Sequence, residues 1–593
     1  DTVSTQKAVT SDAASLLFTE KHITSDLTLP TIGASGTTIS WKSSNPSVLS
    51  NEGKVTRPKK GAADEEVTLK GTVKMGDYAK ARNFTFVVLA ESEMGPTKEF
   101  ALDQVELLDD YYLTAQNSDI EFLKKFDNDR LLSRFRETAG LDTKKIAPYG
   151  GWEDGLLGGH SVGHYLTAIA QAVKATGNAD LKEKSKQLIE GLAECQNKLG
   201  TGFIFGAKIE TEGYVEKQFD ILEGKTTGKT WVPWYNMHKM LTGLVDTYKY
   251  TGNKQALEVA KKLGDWIYNR VSKWDAGTQG RVLGTEYGGM NDCLYELYLC
   301  TRDSKHLEAA HKFDEPNLYK TVAKGGKNCL NGKHANTTIP KFLGALKRYV
   351  VLEQTGELTK DDEVYLTNVE KFFDIAVTRH AYITGGVSVM EHFRKDNNQD
   401  GTRTQTNCES CCAHNMLKMA KELYKVTGDK KYADYYETTL RNSIMGAVKS
   451  ESGAAAYFIP MATGYFKTFG NEDPAKNMFW CCTGSGMENF TKLGDSIYFH
   501  ANDTLIVNQY VSSKVTWEEK NLVVTQKSDV TKSDKATFTV NAKDGSTIPS
   551  AALALRVPDW MHGKAVVTVN GQEEKAAFSS GGYILLELSL IHI

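Results

Sequence analysis

One turn sequence, repeated five times, limits what this chain of 593 residues can fold into. Each copy follows a stretch whose apolar residues recur every three or four positions, as in a helix with one buried face. The copies read Ala175-Thr176-Gly177-Asn178, Tyr250-Thr251-Gly252-Asn253, Cys300-Thr301-Arg302-Asp303, Gln354-Thr355-Gly356-Glu357 and Val426-Thr427-Gly428-Asp429. Glycine suits the left-handed end of one helix, and Asn or Asp suits the cap of the next. The repeat predicts stacked helical hairpins that close into an (α/α)6 barrel, with an open solenoid as the alternative.

Strand patterns flank the helical region on both sides. Alternating apolar residues at 38–43, 67–73 and 84–89 predict an immunoglobulin-like β-sandwich over residues 1–95. The helical catalytic domain is expected over 96–450, and a second β-sandwich that also contributes a Cys-Cys loop over 451–593. Because the chain stops soon after a strand pattern at 582–588, we expect this last domain to be truncated.

Composition argues against two classes of partner. The net charge of -3 gives no electrostatic reason to bind nucleic acid or an anionic membrane surface. The sequence contains no run of eighteen apolar residues, so no membrane span is predicted. The polar, Ser/Thr-rich start at Asp1 is typical of a mature exported protein, so we expect a secreted or periplasmic location with the signal peptide already absent.

Five of the nine cysteines lie in two short segments, 407–412 and 480–482. Cys411, Cys481 and Cys482 as thiolates, with Glu409 as an oxygen donor, would fill a four-coordinate zinc shell. A helix that starts near Ser410 would favour the anionic ligands at its amino end. The adjacent cysteine pair would need an irregular loop, which the Gly-rich residues 483–486 suggest. Reduced, inert core cysteines are the alternative, and Cys408 and Cys412 compete with Cys411 as ligand.

A carboxyl group and several imidazoles are the other candidates for chemistry. Glu391 lies in an apolar, Gly-rich segment with no cation before Arg394, so its carboxyl group is expected to stay protonated and to act as a general acid. A solvated loop carboxylate is the alternative. Histidines recur near the predicted starts of inner helices, next to Trp and Tyr residues that suit sugar rings. The predicted pocket residues are His160, His164, His238, His334 and, from a further Gly-rich segment, Glu286.

On these residues the chain resembles the β-L-arabinofuranosidases of glycoside hydrolase families 127 and 146 over about residues 100–593. The motifs that carry the resemblance are the Gly-His-x-x-Gly-His helix at 159–164, the segments 286–291 and 334–337, the loop from 384 to Glu391, the Glu409-x-Cys411 pair, and 480–482 with 486–489. The resemblance implies an (α/α)6 barrel and a zinc ion bound by Glu409, Cys411, Cys481 and Cys482. It also implies Cys481 as nucleophile and Glu391 as acid/base.

The expected activity is therefore that of a retaining, exo-acting hydrolase. It would release L-arabinofuranose from β-L-arabinofuranosides of plant cell-wall glycans, with an arabinose-containing oligosaccharide or polysaccharide as partner. Two alternatives stay open. One is an (α/α)6 hydrolase or lyase that acts on another plant or uronate sugar, and the other is a carbohydrate-binding protein with purely structural zinc.

Overall fold

The structure is a computed structural model that describes residues 2–18, 21–91, 94–207, 214–449, 451–469, 478–547, 551–561, 564–574 and 579–587. Its α-helices are α1 Thr2–Ser15, α2 Asp110–Lys124, α3 Asn128–Ala139, α4 His160–Thr176, α5 Ala179–Leu199, α6 Lys217–Leu222, α7 Pro233–Thr251, α8 Lys254–Val271, α9 Ala276–Leu283, α10 Met290–Thr301, α11 Ser304–His311, α12 Pro316–Ala323, α13 Ala335–Thr355, α14 Glu363–His380, α15 Ser410–Thr427, α16 Lys430–Thr439 and α17 Cys481–Phe490. Within the described ranges, no helix is both long and apolar enough to cross a bilayer.

The strands fall mainly into three sheets. They are β1 His22–Ile23, β2 Thr38–Ser43, β3 Glu65–Met75, β4 Tyr78–Val88, β5 Lys98–Glu99, β6 Val105–Leu107, β7 Gly150–Gly151, β8 Met478–Phe479, β9 Tyr498–Ala501, β10 Thr504–Val507, β11 Val511–Trp517, β12 Leu522–Asp529, β13 Ala536–Ala542, β14 Ala552–Arg556, β15 Thr568–Val569, β16 Gln572–Glu573, β17 Ser579–Ser580 and β18 Tyr583–Glu587. The amino-terminal sheet has the order β1-β4-β3-β2. The two carboxy-terminal sheets have the orders β17-β18-β14-β10-β9-β5 and β13-β12-β11-β6, so β5 and β6 join sheets formed mostly after residue 497.

Six helices form a closed ring, which confirms the predicted barrel. In order, α4, α7, α10, α13 and α15 each pack against the next, and α17 packs against both α15 and α4. The repeated turns do what their sequences predict, since Gly177, Gly252, Gly356 and Gly428 end inner helices with φ between 65° and 74°. Arg302 takes the same left-handed conformation at the third turn, with φ 56°. These turns leave the starts of all inner helices at one end of the barrel.

The other end of the barrel contains a polar cavity of about 260 Å³. It is lined by the carboxy-terminal halves of the inner helices, whose Lys and acidic side chains form ion pairs such as Lys347 with Glu296, at 2.6 Å. Buried charges are stable only when they are paired in this way. The cavity is therefore a structural feature on the far side of the barrel from the helix starts.

The amino-terminal domain differs from the all-β prediction because α1 precedes the sheet. Val9, Ala13 and Leu16 are buried at helical spacing and pack with Ile39 and Val73 on one face of the sheet. The Thr, Ser and Val residues of this segment have weak helix propensity, so the sequence gives little local sign of a helix. Burial against the sheet overrides that local preference.

Candidate active site and metal centre

The two cysteine segments meet at the starts of two neighbouring inner helices. Glu409 occupies the N-cap position of α15, with Cys411 in its first turn, and Cys481 and Cys482 begin α17. The helix predicted near Ser410 is confirmed, but the irregular loop predicted after Cys482 is wrong. Its glycine is used for close packing, because a Cβ at Gly484 would lie 2.4 Å from the His164 ring. Glycine therefore brings α17 against α4 instead of breaking the helix.

Four ligand atoms from these residues lie within 4.8 Å of one another. The Sγ atoms of Cys411 and Cys482 are 3.1 Å apart, and those of Cys481 and Cys482 are 3.9 Å apart. Glu409 Oε1 lies 3.9 Å from Cys481 Sγ and 3.8 Å from Cys482 Sγ. A tetrahedral zinc ion with Zn–S bonds of about 2.3 Å needs sulfur atoms about 3.8 Å apart. The donor set suits zinc, and the separation of Cys481 and Cys482 matches this value, whereas Cys411 and Cys482 would have to move apart by about 0.7 Å.

Cys481 differs from the other two sulfurs of the cluster. Hydrogen bonds from Cys411 and Cys482 hold the pKa of the Cys481 thiol well below its usual value, although burial opposes this. Burial raises the pKa values of Cys411 and Cys482 well above the ordinary range. Cys481 is also the most exposed of the three, at 9% against 3% and 1%. The cysteine of this cluster that ionises most readily is therefore also the most exposed one.

The neighbouring cysteines lie outside the cluster. Cys412 donates a hydrogen bond to Glu409 Oε2 at 3.1 Å, so it supports the carboxylate. Cys408 is fully buried beside Thr384, and burial raises the pKa of its thiol to about 12. The geometry selects Cys411 from the three candidate ligands in this segment.

Tyr457 joins the cluster to Glu391. Its hydroxyl lies 3.4 Å from Cys481 Sγ and forms a short hydrogen bond with Glu391 Oε1. His334 Nε2 lies 3.3 Å from the other oxygen, Glu391 Oε2. Glu391 and Cys481 therefore face each other across one hydroxyl group.

The expectation that Glu391 stays protonated in its own surroundings is wrong for the ligand-free protein. The hydrogen bond with His334 lowers the pKa of Glu391, and the bond with Tyr457 adds to this against the effect of burial. Burial disfavours the imidazolium of His334, but the hydrogen bond with Glu391 and the charge of Glu286 outweigh it and raise its pKa. The sequence did not reveal this neighbour, because His334 is 57 residues away. Glu391 and His334 each shift the pKa of the other toward the charged form.

The other predicted pocket residues differ in exposure. His160, His164 and His238 are buried and hydrogen-bonded, whereas Glu286 and His334 are partly exposed. His160 Nδ1 lies 2.9 Å from Glu153 Oε1, and His238 Nδ1 accepts a hydrogen bond from the Gly289 N–H. Binding of substrate by these five residues stays a prediction, and Glu286 and His334 are the most accessible of them.

Glu488 fixes α17 to two neighbouring helices. Its Oε1 lies 2.5 Å from His164 Nδ1 on α4, and its Oε2 lies 3.3 Å from His414 Nε2 on α15. Burial opposes the charge, but the two imidazoles outweigh it and lower the pKa of Glu488 well below its usual value. Burial lowers the pKa of His164 to about 4, so this imidazole is neutral and donates its Nδ1–H. Cys481 and Cys482 are thereby held beside Cys411.

We expect Glu488→Gln to lower the free energy of unfolding by about 1.5–3 kcal/mol at pH 7, because it removes a charge-assisted hydrogen bond inside the barrel. The pKa of Glu488 is lower in the folded protein than in the unfolded chain. Its carboxylate therefore stabilises the protein fully above the unfolded pKa of about 4.3, and this effect is lost as the pH falls through the folded pKa. Denaturant unfolding at pH 7 and pH 3.5 measures both effects. Glu258→Gln, at an exposed ion pair with Lys261, is the control. The loss should be smaller at pH 3.5 than at pH 7, and an equal loss at both pH values would contradict the assignment.

Sequence reasoning missed Tyr457 and Glu488. Tyr457 lies in an apolar segment predicted as a strand, and nothing in its immediate neighbours indicates a polar partner. Glu488 was noted only as part of a motif, although a carboxyl group on an otherwise apolar or small helix face is a usable signal. Both roles depend on residues distant in the chain.

The chain matches three families along its length. Residues 104–495 match the family described as "Beta-L-arabinofuranosidase, GH127 catalytic domain", which is more than half of the chain. Residues 504–589 match "Beta-L-arabinofuranosidase, GH127 middle domain", and residues 9–91 match "Atrophied bacterial Ig domain". The order of an immunoglobulin-like domain, a helical barrel and a β-rich domain is confirmed by these matches.

Comparisons with individual relatives support the same family. The chain is 22% identical over 387 residues to the non-reducing end β-L-arabinofuranosidase of Bifidobacterium longum subsp. longum, covering 58% of this chain and 57% of that protein. The structure of a GH127 β-arabinofuranosidase matches with a TM-score of 0.63 at 18% identity, covering 84% of this chain and 79% of that one. A GH127 β-L-arabinofuranosidase from Geobacillus stearothermophilus T6 matches with a TM-score of 0.59 at 18% identity, covering 82% and 79%. These structural likenesses show the same fold. With its catalytic-domain match over residues 104–495, this chain belongs to the GH127 β-L-arabinofuranosidase family.

Proposed function

We propose that this protein is a retaining, exo-acting glycoside hydrolase that releases L-arabinofuranose from β-L-arabinofuranosides of plant cell-wall glycans. The observation that carries the proposal is the meeting of Cys481 and Glu391 at the hydroxyl of Tyr457. Membership of the family and the activity in the name of the Bifidobacterium relative support the choice of sugar. The chain spans 57% of the length of that relative, so the activity is proposed from the site and the family together.

Two residues carry the proposed reaction. Glu391 takes a proton from His334 and delivers it to the departing glycosidic oxygen, while Cys481 Sγ attacks the anomeric carbon. The C–O bond breaks as the C–S bond forms, which leaves arabinose attached to Cys481. Glu391 then takes a proton from water, whose oxygen attacks the same carbon and breaks the C–S bond. Two inversions give arabinose with retained configuration.

The proposed resident metal is zinc, held by Glu409, Cys411, Cys481 and Cys482. When bound, zinc would keep the thiolates ionised at neutral pH and fix their positions. The chain itself contributes the supporting contacts: Cys412 hydrogen-bonds to Glu409, and the Ser485 hydroxyl donates to Cys411 Sγ at 3.2 Å. These contacts orient the ligands from outside the cluster.

The sugar is proposed to lie between Cys481 and Glu391. Partly exposed Glu286 and His334 would contact the hydroxyl groups of the sugar. His160, His164 and His238 would line or support the floor of the proposed sugar pocket. Trp152 and Trp480 pack edge to face beside the cysteines, with ring centroids 5.2 Å apart, and give the pocket an apolar wall. We also propose that the protein is exported, where plant glycans are accessible.

The proposal predicts that the purified chain binds about one zinc ion and hydrolyses a β-L-arabinofuranosyl disaccharide. Elemental analysis gives the zinc content, and NMR during turnover should show β-L-arabinofuranose as the first anomer formed. Removal of zinc with a chelator should abolish hydrolysis, and added zinc should restore it. Sugar binding without any release of arabinose would favour a carbohydrate-binding protein instead. Initial formation of the α anomer would overturn the retaining mechanism.

A further inference from the structure

Residues 389–392 form a tight turn that presents Glu391. The Val389 N–H donates to the His392 carbonyl at 2.9 Å, and the His392 N–H donates to the Val389 carbonyl at 3.1 Å. Between them, Met390 and Glu391 both have positive φ, at 44° and 65°. This is the pattern of a type I′ turn, which favours Asn and Gly at its two central positions. An L side chain there crowds its own backbone, so Met390 and Glu391 are both held in an unfavourable conformation.

Three contacts impose this conformation. The Met390 N–H donates to the Thr406 carbonyl at 2.9 Å, and the Ala335 N–H donates to the Glu391 carbonyl at 2.6 Å. Arg394 Nη2 donates to the Val389 carbonyl at 3.0 Å. The turn is therefore fixed by its surroundings. The strained conformation of Glu391 is explained by its proposed role in proton transfer. The strained conformation of Met390 needs another explanation.

Met390 has no packing role among the described residues. Its side chain is 60% exposed and belongs to none of their hydrophobic clusters, whereas Val389 and Phe393 in the same segment are buried. A large apolar side chain has thus been placed where glycine would fit with less strain, and most of it is exposed to solvent. Strain of this kind beside a reactive group indicates a functional contact.

We propose that Met390 contacts the leaving group of the substrate and favours a leaving group that contains a sugar ring. This inference rests on the proposed function and adds the residue that would recognise the leaving group. Because Glu391 protonates the departing oxygen, whatever that oxygen carries must extend past Glu391 toward solvent, where Met390 is exposed. The flexible, polarisable thioether of methionine can pack against the C–H face of a sugar ring.

His392 adds a polar contact to the same subsite. Its Nδ1 lies 2.6 Å from the Met390 carbonyl oxygen, and a carbonyl only accepts, so Nδ1 carries the hydrogen. In the neutral imidazole this leaves Nε2 as an acceptor for a sugar hydroxyl. The ring is half-buried, and its centroid lies 4.9 Å from that of His334, which contacts Glu391. An apolar surface and a hydroxyl acceptor therefore lie side by side next to the proposed acid.

The test compares two substrates that share the arabinofuranosyl group. One is a β-L-arabinofuranosyl disaccharide, and the other is methyl β-L-arabinofuranoside, whose leaving group has no ring. For the full chain with bound zinc, Met390→Gly should lower the ratio of kcat/KM for the disaccharide to that for the methyl glycoside by about 3- to 10-fold, because part of a buried apolar contact is lost. The inhibition constant of free L-arabinose should stay the same, since it lacks a leaving group. The melting temperature should not fall, because glycine relieves the strain.

Lys145→Gly is the matched control. Lys145 is exposed and also has positive φ, at 56°, but it lies outside the site, so the substrate ratio should not change. An unchanged ratio in Met390→Gly, or an equal loss on both substrates, would overturn the inference and leave the proposed function standing. Failure of the wild-type chain to hydrolyse either glycoside would overturn the proposed function and this inference with it.

Discussion

Cys481→Ser is expected to reduce hydrolysis of β-L-arabinofuranosides by at least about 10⁴-fold, because it replaces the nucleophile with a hydroxyl that stays protonated. Cys481 is the most exposed sulfur of the cluster and the one whose thiol has a lowered pKa. The buried sulfurs of Cys411 and Cys482 can bind a metal but have less access to the sugar. Single-turnover kinetics on the purified variant measure the loss directly.

Loss of the nucleophile must be separated from loss of the metal or of the fold. The zinc content and the circular dichroism of Cys481→Ser should be measured beside Cys411→Ser, which removes a ligand but leaves the nucleophile. Cys300→Ser changes a partly exposed free cysteine on α10 outside the cluster, so it should behave as wild type. Turnover within about tenfold of wild type in Cys481→Ser would remove Cys481 as the nucleophile.

Glu391→Gln should have an effect that depends on the leaving group. An alkyl or glycosyl leaving group needs a proton, so hydrolysis should fall by about 10²–10⁴-fold. An aryl leaving group departs as a stable phenolate, so the first step on an aryl β-L-arabinofuranoside should fall by a smaller factor. The comparison of kcat/KM for the two substrate types measures the difference. An equal fall on both types would count against a role as acid.

The base role of Glu391 has its own readout. The Glu391→Ala variant lacks the carboxylate that activates water, so its covalent intermediate should be hydrolysed slowly. Azide needs no base, so it should restore turnover and give arabinosyl azide with retained configuration. Tyr457→Phe is the matched variant, because it removes the hydroxyl that bridges Cys481 and Glu391 but keeps the carboxylate. Azide should not restore activity in Tyr457→Phe.

The helical architecture could be predicted because its signals are local. Left-handed glycines at Gly177, Gly252, Gly356 and Gly428 end helices through their own backbone conformation. Asn178, Asn253, Asp303 and Asp429 begin the next helices through hydrogen bonds over two or three residues. The cysteine cluster could be predicted for a chemical reason. Five cysteines in two short segments suit a soft-metal site better than cysteines dispersed through a hydrophobic core would.

Three predictions failed where distant contacts overrode local preference. The segment after Cys482 is helical and packs closely on α4 at Gly484, and α1 is helical because the sheet buries one of its faces. Glu391 has a lowered pKa because His334 and Tyr457 reach it from 57 and 66 residues away. Neighbouring residues in the sequence gave no sign of either partner.

The amino-acid sequence by itself determined where the repeated turns end one helix, which residues cap the next and which side chains are chemically able to hold a soft metal, because each of these depends on residues within one or two turns. Only the tertiary structure decided that six helices close into a ring, that Cys411 is chosen over Cys408 and Cys412, and that one tyrosine hydroxyl joins Cys481 to Glu391. Those outcomes depend on distances of a few ångströms between residues far apart in the chain, and packing of the whole barrel sets such distances.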